Sequence, residues 1–123
     1  MIPGQVAVKR VDVDFPSNFV PRWGLYCGPG WSAGQANANL DYETMKAGEV
    51  LQVRNAVGKF EDSNLDLACK EHDLAYKAAE GRPDEAKLIM QADIQLISRV
   101  ANSYSSLEPI ERPYAALVFA GFV

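Results

Sequence analysis

The sequence predicts a mainly α-helical domain built on two antiparallel helices, at about residues 64–80 and 84–104, and three observations carry that expectation. The run from Asn64 to Glu80 is rich in Ala, Leu, Lys and Glu and free of Gly and Pro, while Pro83, Asp84 and Glu85 supply a fresh helix start. Only a brief link around Gly81 to Pro83 lies between them, which makes the helices antiparallel neighbours. With 123 residues and 48% hydrophobic content, the chain reads as one domain spanning 1–123, with a modest core and no repeat or low-complexity tract.

Taken in order, Val6 to Asp14 alternates like a short strand, and Pro16, Pro21 and Gly24 then keep the chain extended or turning. Next comes the string Tyr26-Cys27-Gly28-Pro29-Gly30-Trp31, whose glycines permit a tight loop with carbonyls turned inward; an ordinary turn is the alternative. Residues 35–63 carry no signature, and Val50 to Arg54 reads as a strand or a short helix. The first long helix starts with Ser63 or Asn64 as N-cap and stops at Gly81. The second takes Pro83, Asp84 and Glu85 into its first turn and shows an apolar stripe of Ala86, Ile89, Met90, Ala92, Leu96, Ile97 and Val100. The tail from Tyr114 to Val123 is apolar but too short to cross a bilayer; it is expected to pack on the core, with interfacial docking as the alternative.

The chemistry concentrates on few residues. The only histidine, His72, shares a helix face with Leu65, Ala68, Cys69 and Tyr76, and Asp73 lies about 100° round at the margin of that face. One acid, Asp93, interrupts the apolar stripe of the second helix and needs a partner. Antiparallel packing brings the two inward faces together and makes His72 that partner. A satisfied or solvated histidine and an acid at the edge of a face are the plainer readings. The glycine loop and Asp73 together offer oxygens of the kind that calcium takes, six to eight in number, from carbonyls, a carboxylate and water. The only two cysteines, Cys27 in the loop and Cys69 one turn before His72, would hold loop and helix together if bridged; two buried free thiols are the alternative.

Y-C-G-P-G at Tyr26 to Gly30, C-x-x-H-D-x-x-Y at Cys69 to Tyr76 and an aspartate on the next helix together resemble the phospholipase A2 superfamily, most closely its compact microbial and viral members. The resemblance covers roughly residues 22–34 and 64–104. It implies that the backbone carbonyls of Tyr26, Gly28 and Gly30 and the carboxylate of Asp73 bind Ca2+. By the same resemblance His72 is the general base, Asp93 orients it, Tyr76 supports Asp93, and Cys27 and Cys69 form the loop-to-helix disulfide. A second supporting tyrosine is also implied, with Tyr42, Tyr104 and Tyr114 the candidates. The chain departs from animal members in having two cysteines and a brief link in place of a β-hairpin between the helices.

The reaction so implied is attack of water on the sn-2 ester of a glycerophospholipid. His72 takes the proton, Asp93 fixes the ring, calcium polarises the ester, and the Gly28 N–H is a second oxyanion donor. No G-x-S-x-G elbow occurs, which disfavours serine hydrolase chemistry. A net charge of −4 disfavours nucleic acid as a partner and leaves contact with a phospholipid surface to apolar groups. Trp23, Trp31, Leu25 and Phe19 would supply an interfacial rim or else belong to the core.

The first ten residues lack the charged start and apolar stretch of a secretory signal, yet a disulfide and millimolar-calcium chemistry suit an oxidising compartment. The expectation is therefore an exported, toxin-like effector delivered outside the cytosol, with an inhibitor or immunity protein as a partner in the producer. A catalytically silent relative that binds lipid or protein is the alternative, and a structural module of a larger assembly is the third class.

Overall fold

In a computed structural model, residues 22–28, 31–36 and 40–120 are described. The expected strand at 6–14, Phe19 and Gly30 lie outside the described residues. The described residues are mainly helical, with two small antiparallel hairpins.

Trp23 and Cys27 pair in an antiparallel bridge around a tight turn, and Gly24 occupies the left-handed region at φ +61°. A Cβ at Gly24 would collide with the carboxyl group of Asp66, so only glycine lets the turn close there. Strands β1 (Trp31–Ser32) and β2 (Gln35–Ala36) form a hairpin with Ser32 opposite Gln35. Helix α1 (Tyr42–Ala47) starts where the Asp41 carboxylate accepts the Thr44 N–H at 2.7 Å. Strands β3 (Gln52–Arg54) and β4 (Phe60–Asp62) make the second hairpin. The segment at 50–54 is therefore a strand, with Val53 inward and Gln52 and Arg54 outward.

Helix α2 (Asn64–Ala79) begins at Ser63, whose hydroxyl accepts the Asp66 N–H, and ends before Gly81 at φ +77°. Helix α3 (Glu85–Ser103) returns alongside it. Two 3-10 turns (Tyr104–Ser106 and Pro109–Glu111) then lead into helix α4 (Arg112–Phe119), which buries Ala115 and Val118. The described part of the tail thus packs on the core, as the sequence suggested.

The core joins Trp23 and Tyr26 of the loop, Leu51 and Val53, Leu65 and Ala68 of α2, Leu96 and Val100 of α3, Leu107, and α4. Two expectations need correction. Trp23 is 1% exposed, packs on the Tyr114 ring at 4.8 Å and donates its indole N–H to Ser63, so it is a core residue and no interfacial anchor. In the α3 stripe only Ala92, Leu96 and Val100 are buried, whereas Met90 and Ile97 are exposed. The buried three repeat at every fourth position, the narrow seam that a single facing helix can cover.

Candidate active site

Helix α2 carries the site because its sequence puts different chemistry on adjoining strips of one rod. Cys69, His72 and Tyr76 recur at three and four residues, and so do Asp66, Cys69 and Asp73. The first strip meets α3 and the second meets the loop at 23–28.

Against α3, His72 Nε2 lies 2.7 Å from Asp93 Oδ1, and the Tyr76 hydroxyl donates to the same oxygen at 2.6 Å. The His72 and Tyr76 rings lie 4.4 Å apart, which locks the imidazole against the phenol. The His72 side chain is 4% exposed while that of Asp93 keeps 43%, so the ring is inside and its carboxylate partner stays accessible to water. Burial pushes the Asp93 carboxyl up, but the hydrogen bonds from Tyr76 and His72 outweigh it and hold the pKa below the ordinary carboxylate value. Burial, with the hydrogen bond to Asp93 behind it, lifts the Tyr76 phenol to about 12. An ionised Asp93 requires its partner nitrogen to carry the hydrogen, which leaves the lone pair on Nδ1. A cleft of about 50 Å³ between the helices, lined by His72, Glu71, Leu96 and Arg99 among others, adjoins the imidazole and has the volume for a few waters.

Toward the loop, Cys27 and Cys69 are joined as a disulfide with Cα atoms 5.2 Å apart. Of the two readings of the cysteines, the bridged one is therefore correct. Among the described residues, Asp73 Oδ2 is buried without a hydrogen-bond partner, and so is Ser32 Oγ on β1. The serine is near enough to Asp73 to pull its pKa down without reaching hydrogen-bonding geometry. Desolvation dominates and lifts Asp73 to about 7, with the charge of Asp66 adding to the rise. Burial also raises the Tyr26 phenol, and Asp66 and Asp73 reinforce it, so Tyr26 lies within electrostatic reach of both acids.

Among the described residues of the loop, one backbone carbonyl is left over. Those of Trp23, Gly24, Leu25, Cys27 and Gly28 each accept a hydrogen bond from a described residue, whereas that of Tyr26 accepts none among the described residues. A carbonyl, a carboxylate oxygen and a hydroxyl left over on adjoining segments are hard oxygen donors of the type calcium prefers. Gly28, at φ +141°, is buried in the loop and passes its own carbonyl to the Trp31 N–H. Trp31 is half-buried, donates its indole N–H to the Gly24 carbonyl at 2.9 Å and stacks under Arg22. Tyr42 and Tyr104 are exposed, and Tyr114 packs on Trp23; among the described residues Tyr76 is the one tyrosine that bonds to Asp93.

Sequence reasoning passed over Asp66. It is fully buried and accepts the N–H groups of Leu25, Tyr26 and Leu51 at 2.7–3.2 Å. Its position, three residues before Cys69 and seven before Asp73, was the available signal, since that spacing repeats one face. Ser32 gave none, because its role depends on where the hairpin folds. No model of a known protein family, no curated protein and no solved structure matches this chain.

Proposed function

We propose that the chain is a calcium-dependent, phospholipase A2-type hydrolase that releases the sn-2 fatty acid from glycerophospholipids at a membrane surface. One observation carries this reading: His72 is hydrogen-bonded to Asp93 through Nε2, which leaves its basic nitrogen for water, on the same helix as a partnerless Asp73 carboxylate oxygen. The family resemblance supplies the substrate.

His72 Nδ1 removes a proton from water as the oxygen attacks the ester carbonyl carbon, and returns it to the departing alkoxide of the lysophospholipid. Asp93 keeps the ring in the required tautomer and stabilises the imidazolium without taking the proton, as the carboxylate of a Ser-His-Asp triad does. Tyr76 restrains the Asp93 oxygen that His72 uses. Calcium would be held by Asp73 and the Tyr26 carbonyl, with the carbonyls of Gly28, which also accepts the Trp31 N–H, and of Gly30 completing the set that the resemblance implies, and would act as a Lewis acid toward the ester carbonyl and the phosphate. The Gly28 N–H is the candidate second donor to the oxyanion. No covalent enzyme intermediate is required. Trp31 at the loop remains the interfacial candidate, and the disulfide favours work outside a reducing cytosol, with an inhibitory protein as the producer's second safeguard.

The test is fatty-acid release from mixed phospholipid vesicles. Wild type is expected to release sn-2 fatty acid in calcium, EDTA to abolish it, and His72→Ala to lower kcat by at least about a thousandfold. A folded wild-type chain that binds vesicles but releases nothing in calcium would instead be a silent lipid-binding relative.

A further inference from the structure

We infer that Asp66 is a positioning residue that sets the cation affinity of the loop by fixing the direction of the Tyr26 carbonyl, an inference that rests on the calcium reading above. Asp66 makes no contact with a reacting atom. Its carboxylate gathers the N–H groups of Leu25 at 3.0 and 3.2 Å, Tyr26 at 2.9 Å and Leu51 at 2.7 Å. The next N–H along, that of Cys27, donates to the Trp23 carbonyl at 3.2 Å, so the peptide units on both sides of Tyr26 are held.

The geometry of one peptide unit does the rest. The described residues contain no cis peptide bond, and in a trans unit C=O and N–H point in opposite directions. The Tyr26 carbonyl belongs to the same unit as the Cys27 N–H, so the Cys27–Trp23 bond sends that carbonyl away from Trp23, while Asp66 fixes the unit before it through the Tyr26 N–H. It is the loop carbonyl that no described residue claims. Gly24 makes the arrangement possible, since a side chain there would occupy the space of the carboxyl group. Asp66 and Asp73 also sit seven residues apart on one helix, which puts the carboxylate that holds the donors of the loop and the one left without a partner on a shared face.

Calcium titration calorimetry of the oxidised full chain, with lipid-hydrolysis kinetics alongside, tests this. Asp66→Asn puts an amide donor among three N–H donors and is expected to raise the calcium dissociation constant by about tenfold or more, the size usual for groups that orient metal ligands. The loss is expected to concentrate in calcium affinity, with kcat recovering as calcium is raised and KM for lipid unmoved. Gly24→Ala, which displaces the carboxylate without removing its charge, is expected to weaken calcium in the same way, and Asp66→Glu to rescue part of the loss. Equal calcium affinity in wild type and Asp66→Asn overturns the inference. Should Asp66→Asn not fold, hydrogen exchange of the wild type in EDTA decides: protected Leu25 and Tyr26 amides support the role, and exchange at the rate of an unstructured chain overturns it. A wild type that binds calcium yet releases no fatty acid removes the hydrolase reading alone, whereas one that binds no calcium overturns both.

Discussion

Asp73 and Asp93 are the same residue type in opposite circumstances. Asp93 keeps water access and receives two hydrogen bonds, which hold its carboxyl below the ordinary value; Asp73 has an orphaned oxygen and burial lifts it to about 7. Such divergence between neighbouring acids marks sites where charge is held in readiness for chemistry or a ligand. It also fixes a pH dependence. In the calcium-free chain the folded pKa of Asp73 exceeds the unfolded value of 3.8, so folded molecules bind more protons between those two values. The stability contributed by the protonated group is thus fully present below about pH 4 and is lost as pH rises through about 7. In EDTA, wild type is expected to lose melting temperature between about pH 5 and pH 8 relative to Asp73→Asn, which has no such proton to release. Calcium is expected to restore stability at the higher pH and to do little at the lower, because a carboxylate must be ionised to bind a metal. Thermal melts of both proteins at the two pH values, with and without calcium, check this; parallel pH curves for wild type and variant would show that Asp73 is not the group.

At the scale of elements, α2 gathers Asp66, Cys69, His72, Asp73 and Tyr76, and the Cys27–Cys69 bridge fastens the loop to its middle. The cysteines are 42 residues apart, and closing a loop of that size restricts the unfolded chain by about 4 kcal/mol on the entropy model. Cys27→Ala with Cys69→Ala is therefore expected to lower the unfolding free energy by about 4 kcal/mol in urea titrations. The same change is expected on adding reductant to wild type, together with a higher calcium dissociation constant; unchanged stability in reductant would remove the redox safeguard. Helices α2 and α3 were legible to within a residue at each end, as 64–80 against Asn64–Ala79 and 84–104 against Glu85–Ser103, because Ser63, Gly81 and Pro83 are local punctuation. The hairpins were not legible, since strands of two or three residues hold too little alternation to show a period. Asp66 stayed hidden for a different reason. Its partners Leu25 and Tyr26 are backbone groups about 40 residues away, and nothing in their side chains advertises an N–H.

Across the whole molecule, a single hydroxyl links the loop, the start of α2 and the C-terminal segment. Ser63 Oγ accepts the Trp23 indole N–H at 2.9 Å and the Asp66 N–H at 3.0 Å, so its one proton is left to donate, and it goes to Glu111 Oε1. The other oxygen of Glu111 accepts the Glu108 N–H at 3.0 Å, which closes the turn before α4. All three side chains, of Trp23, Ser63 and Glu111, are buried, so water cannot replace a lost partner. Ser63→Ala removes the cap of α2 and strands both an indole N–H and a carboxyl, and is expected to cost about 3 kcal/mol. Glu111→Gln keeps an oxygen for the serine proton and gives up only the bond from Glu108, so about 1 kcal/mol is expected. Urea titrations read both as shifts in midpoint at constant slope. If Ser63→Ala costs no more than Glu111→Gln, the hydroxyl is not the junction that ties these segments together, and α4 is held by the packing of Tyr114, Ala115 and Val118 instead.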